Sequence, residues 1–180
     1  KPTHAPTDAA LAVARKNSFN TDDIEEVFLR LSPPATAAHY AKKYVVGDYP
    51  TMNALWSYYF AVASSLVRKN STNANYFEKA ILDPKVQSLI PKVKLAHLDK
   101  PQGVEVEVKM KDGRRFSEYA RVASGEPSNP MSREDLIAKF MAQVDSSGLV
   151  DRKGAEQIVG LTDRLEQVED INKIVALAAK

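Results

Sequence analysis

The chain has 180 residues and no cysteine, with 44% hydrophobic and 27% charged side chains and a formal net charge of only +2. That is the balance of an ordinary soluble globular chain, large enough for one sizeable core or a domain with an appendage. It excludes disulfides, thiolate nucleophiles and cysteine-based metal sites. It also leaves no electrostatic footprint for nucleic acid or an anionic membrane surface, and no apolar run is long enough to span a bilayer.

The opening Lys1-Pro2-Thr3-His4 lacks an initiator methionine, from which a cut or processed chain is expected, while the absence of cysteine and of a leader pattern fits a reducing, cytoplasmic compartment. A helix is expected after Pro6 and Thr7, through Ala9, Leu11, Ala12 and Ala14, ending near Asn17. From Ile24 to Leu31, Val27, Leu29 and Leu31 alternate with Phe28 and Arg30, the period of a half-buried strand that Pro33 and Pro34 stop. Pro50 to Lys69 is the most apolar stretch, and its hydrophobic positions wrap around most of a helix, so one buried helix is expected there. Shorter helices are expected over Asn75–Leu82 and Asp83–Ile90.

Val93, Leu95 and His97 alternate with polar or small residues, and Val104, Val106 and Val108 alternate with Glu105, Glu107 and Lys109. Lys111-Asp112-Gly113-Arg114 is a hairpin signal, with Phe116–Val122 as the returning strand. One apolar and one charged face imply an α+β fold: a small open, mainly antiparallel sheet with helices on one face. After the rigid crossing Gly125-Glu126-Pro127-Ser128-Asn129-Pro130 the pattern is helical throughout. Ser132 with Asp135 caps a helix bearing Leu136, Ile137, Phe140, Met141 and Val144, and further helices are expected over Lys153–Val168 and Asp170–Ala179. The boundary falls near Gly125, giving an α+β unit over 1–125 and a helical tail over 126–180.

Chemical motifs are sparse. There is no Gly-rich phosphate loop, no serine elbow and no His pair at metal-ligand spacing, and His4, His39 and His97 lie far apart. Glu105 and Glu107 share a strand face, either as a carboxylate pair or as a solvated surface, and the surface reading is preferred. The same holds for Lys109, Lys111, Arg114 and Arg115 at the hairpin tip, where phosphate binding is the alternative. Asn70-Ser71-Thr72 fits a glycosylation acceptor but is taken as a chance triplet.

Thr3-His4 followed by Asp8-Ala9-Ala10 resembles the opening of the second domain in the MmgE/PrpD family, which includes 2-methylcitrate dehydratase, cis-aconitate decarboxylase and iminodisuccinate epimerase. Asp23-Ile24, Pro50-Thr51, Ser57–Ala63, Ile90–Val93 with Asp99, and Asp112-Gly113-Arg114 continue it in order. The most specific piece is Gly125–Ser132 ending in Lys139-Phe140, similar to the family's Gly-x-Pro-x-Asn-Pro signature.

The resemblance implies an α+β lid followed by helices that return to pack on an amino-terminal helical domain of the same protein. It implies a homodimeric, cytoplasmic lyase or isomerase without cofactor or metal, whose small polycarboxylate substrate sits between the two domains, as in propionate metabolism. No nucleic acid and no membrane are expected as partners. The lid contributes a tyrosine, and Tyr59 is the expected catalytic residue, donating a proton or hydrogen bond to developing charge. His4 is expected beside the cleft, touching substrate. Lys1 lies too near Thr3-His4 to inherit the role of the family's lysine. The family usually has a serine three residues before the tyrosine, where this chain has Trp56, and often a basic or bulky polar residue where it has Ala54 and Leu55. Two competing readings are a stand-alone α+β module that binds a ligand or dimerises without catalysis, and a nucleic-acid-binding sheet. The near-neutral charge and the acidic strand at Glu105 and Glu107 oppose the second.

Overall fold

The central strand, β1 (Ile24–Leu31), buries Ile24, Val27, Leu29 and Leu31 and turns Glu26, Phe28 and Arg30 the other way. The computed structural model containing it describes residues 2–36 and 38–178. Lys1 and the Ala179 end of the last expected helix therefore lie outside the described residues. By internal contacts the chain divides into one unit ending at Pro130 and a second beginning at Met131.

In the first unit, β1 lies between β2 (Val93–His97) and β3 (Val104–Met110), and β4 (Arg115–Ala120) completes the order β2-β1-β3-β4. The β1–β2 pairing is parallel and the other two are antiparallel, so the sheet is open and mainly antiparallel, in an α+β fold. β3 buries Val104, Val106, Val108 and Met110 and leaves Glu105, Glu107 and Lys109 half-exposed. The β3–β4 hairpin closes through Met110 N–H to Arg114 O at 2.8 Å and Gly113 N–H to Met110 O at 3.0 Å. Gly113 there has φ +88°, a conformation that favours glycine.

Helices cover one face of this sheet. α1 (His4–Lys16) packs on β3 and β4, with Ala9, Ala10, Val13 and Ala14 buried. It begins earlier than its sequence suggested: Pro6 sits in the first turn, where no amide hydrogen is needed. Beside it lies α4 (Tyr58–Arg68), which also reaches β2. Phe60, Val62, Ala63 and Leu66 are all fully buried, and burial of a large side chain of this kind contributes about 1.5–3 kcal/mol.

The single helix expected over Pro50–Lys69 is in fact two, α3 (Pro50–Leu55) and α4, with α2 (Pro33–Thr36) preceding them. The break is local chemistry. Ser57 takes an extended conformation (φ −121°, ψ 123°) and its Oγ accepts the Phe60 amide at 3.2 Å, starting α4 afresh. α3 itself is mostly exposed, and Ala54 is its only buried residue. α5 (Glu78–Ile81) and α6 (Pro84–Leu89, capped by Asp83) follow, α5 shorter than expected because a 3-10 turn occupies Asn73–Tyr76.

The second unit contains α7 (Arg133–Ser147), α8 (Arg152–Thr162) and α9 (Asn172–Ala178). Ser132 caps α7 as expected, its Oγ accepting the Asp135 amide at 3.0 Å and donating to the Asp135 carboxylate at 2.7 Å. Asp151 caps α8 through the Gly154 amide at 2.7 Å. Burial is slight: only Val144 in α7, Gly154 and Ala155 in α8, and no residue of α9.

Candidate functional site

Tyr59 is the second residue of α4, immediately after the turn that Ser57 caps. Its ring is half-buried against the core, and its hydroxyl has no hydrogen-bond partner among the described residues. Burial pushes the phenol above its ordinary value near 10, so it remains a donor at neutral pH. Counting from Ser57, the third residue on is Phe60, fully buried between Tyr44 and Tyr76 and without a hydroxyl. A serine three residues before an aromatic ring is therefore present in this chain, and the half-exposed phenol at this helix end stands one position earlier.

Aromatic residues crowd around the same helix end. Tyr40 stacks on Trp56 at 5.3 Å and 13° and tilts against Tyr58 at 5.7 Å, with His39 edge-on to it at 6.3 Å. Burial, and then the neighbouring Tyr40, raise the Tyr58 phenol. Sequence reading missed this group because Tyr40 lies in an irregular segment whose path no periodicity reveals.

His4 is the exposed first residue of α1, behind Thr3, which makes no side-chain cap. At 3.6 residues per turn His4, Leu11 and Arg15 form one stripe along α1. At the far end of that stripe Arg15 Nε donates to Lys69 O at 3.1 Å, just past the end of α4. Since the two helices pack along each other and their carboxyl ends are joined, they run parallel and His4 lies at the end where α4 begins. Arg68, two and a half turns beyond Tyr59 and so on the opposite side of α4, bonds to Ala80 O and Asp83 in the α5–α6 segment. Tyr59 therefore lies on the side of α4 turned away from that segment, packed against the core. The two expected site residues, distant in sequence, share one end of one helix pair.

The remaining candidates are engaged elsewhere. Arg30 of β1 bonds to Glu105 at 2.9 Å and Glu107 at 3.0 Å, and Arg115 also pairs with Glu107. The two carboxylates are thus the floor of an ion-paired sheet face. Lys109 pairs with Glu25 at 2.9 Å and Arg114 with Asp112 at 2.7 Å, which removes most of the hairpin's free positive charge. Asn70 donates to Arg68 O and accepts from Asn75, so it is tied into the local turn. Among the described residues no cluster of His, Asp and Glu could hold a metal ion, and no helix is long and apolar enough to cross a membrane.

In comparison with known proteins, the family model described as the MmgE/PrpD C-terminal domain matches residues 2–175. The chain is 29% identical over 189 residues to cis-aconitate decarboxylase of Mus musculus and 26% identical over 190 residues to that of Homo sapiens. Each alignment takes in 97% of this chain and 37% of the relative, so the chain spans little more than a third of the length of these proteins.

Proposed function

The chain belongs to the MmgE/PrpD family as its C-terminal domain, and on that premise we propose that it is the lid portion of a lyase or isomerase acting on a small di- or tricarboxylate. The reaction is proton transfer at a carbon next to a carboxylate, followed by loss of water, loss of carbon dioxide or reprotonation on the other face. In this reading Tyr59 donates a proton or hydrogen bond to the developing charge, and His4 touches the substrate from the neighbouring helix. Residues 1–125 form the lid and 126–180 return to an amino-terminal helical domain that supplies the other acid/base groups. The observation that carries the reading is the common end of α1 and α4: an exposed imidazole and a half-buried, unengaged phenol lie where two parallel helices begin.

The test is an assay of the full-length parent and of this chain alone against cis-aconitate, 2-methylcitrate and iminodisuccinate. The parent is expected to turn over one of them and the chain none. Turnover by the chain at the parent's rate would overturn the lid reading, and a parent inert toward every small polycarboxylate would overturn the substrate class.

A further inference from the structure

The two segments most telling in the sequence, Asp8 near the start and the Gly125–Pro130 crossing, meet in the first unit. The Asp8 carboxylate accepts the Ser124 amide at 2.7 Å, and the crossing is held as a tight turn by Gly125 N–H to Asn129 O at 2.9 Å and Asn129 N–H to Glu126 O at 2.8 Å. Between them lies a half-open cavity of about 500 Å³, bounded by the β4-facing flank of α1, the end of β4 and the turn. That volume is in the range of small-ligand sites.

Its charges are unevenly satisfied. Asp8 is occupied by the Ser124 amide, and Lys16 and Glu118 pair with each other at 2.8 Å. Along the hairpin the other arginines, Arg114 and Arg115, each hold a carboxylate. Arg121 lines the cavity and has no acidic or hydrogen-bonding partner for its side chain among the described residues. Beside it the cavity presents the Ser124 and Ser128 hydroxyls, and the Asn129 side-chain amide, which already donates to Val122 O at 3.4 Å, has a second N–H to donate. An unpaired guanidinium fork with neutral donors around it is the recognition chemistry of a carboxylate.

We propose that this cavity is a binding site for a small polycarboxylate, in which Arg121 grips one carboxylate in a fork and Ser128 and Asn129 bond a second oxygen group. Lys16, shared with Glu118, adds a weaker attraction. The site lies on the flank of α1 that meets β4; the choice of a carboxylate over a phosphate rests on the proposed function, whereas binding itself needs nothing beyond this chain.

The experiment is titration of the 180-residue chain with tricarballylate, a saturated and unreactive tricarboxylate, by calorimetry and by amide NMR. Saturable one-to-one binding is expected, weakening as salt is added, with shifts centred on Ser124, Ser128 and Asn129. Arg121→Gln should weaken binding at least tenfold and Arg121→Lys severalfold, since the charge remains without the fork. Arg164→Gln, in the second unit, should leave binding unchanged. Absence of saturable binding, shifts centred on α4, or unaltered affinity in either Arg121 variant would overturn the proposal. Equal affinity for inorganic phosphate would overturn the carboxylate class. Should Arg121→Gln fail to fold, the Arg121→Lys result decides.

Discussion

Replacing Tyr59 by phenylalanine in the full-length parent removes one oxygen and leaves the ring in place. The hydroxyl has no partner among the described residues of this chain, so no bond among these residues is lost, and stability should change by no more than about 0.5 kcal/mol on their account. A satisfied core hydroxyl would instead cost about 1 kcal/mol. If the phenol stabilises developing charge, turnover should fall roughly 100-fold, equivalent to about 2.7 kcal/mol of barrier. Because burial raises this phenol, the loss should be constant across neutral pH rather than tied to a titration. The assay is kcat and kcat/KM on the parent's best substrate, alongside urea unfolding of the same variant. Unchanged turnover would refute the assignment. So would recovery on adding Phe60→Tyr to Tyr59→Phe, because the hydroxyl would then belong three residues after the cap and not two.

Burial raises the phenols of Tyr44, Tyr58, Tyr59 and Tyr76, so their contribution to stability is complete below the unfolded value of about 10 and is lost as pH rises beyond it; circular dichroism against pH, with tyrosinate absorbance in parallel, should show unfolding tracking ionisation above that point. Arg30→Met leaves Glu105 and Glu107 close together and half-buried without their shared cation, costing roughly 1–3 kcal/mol in urea unfolding. Adding Glu107→Gln should recover part of that loss, and strict additivity of the two changes would contradict the coupling. In hydrogen exchange the amides of α9, which has no buried residue, should exchange far faster than those of β1 and β3, and equal protection would contradict the burial described here.

Alternation made the strands legible. Val104, Val106 and Val108 face the core as their spacing required, and Asp112-Gly113 turns the hairpin. What alternation cannot give is which strand lies beside which. Arg30 and its two glutamates are read singly as surface charges, and become one cluster only through the β1–β3 register. The Pro50–Lys69 stretch misled because hydrophobicity around a helix says nothing of a serine that withdraws from it to cap the next turn, and Trp56 marks the break with no glycine or proline to announce it. The pairing of His4 with the Tyr59 end was hidden for a related reason. The parallel run of α1 and α4 depends on the long path between them, and its anchor is a side chain bonded to a carbonyl, Arg15 to Lys69. Chemical roles were less legible than shape, since a tyrosine on an apolar helix has the same local pattern whether or not it meets a substrate.

The position of β1 in the middle of the sheet also sets an order of events during synthesis. Val27 pairs with Val93 on one side and Val108 on the other, and both follow it by more than sixty residues. At the usual pace of a ribosome, on the order of 5–20 residues per second, that strand waits several seconds, up to about ten or more, before either neighbour exists. During this interval Ile24, Val27, Leu29 and Leu31 are a bare apolar ribbon, whereas β3 and β4 are joined by a tight turn and can pair as soon as they emerge. Nascent chains halted between β1 and β2 should thus be the ones that need a chaperone, and those halted after β4 should not.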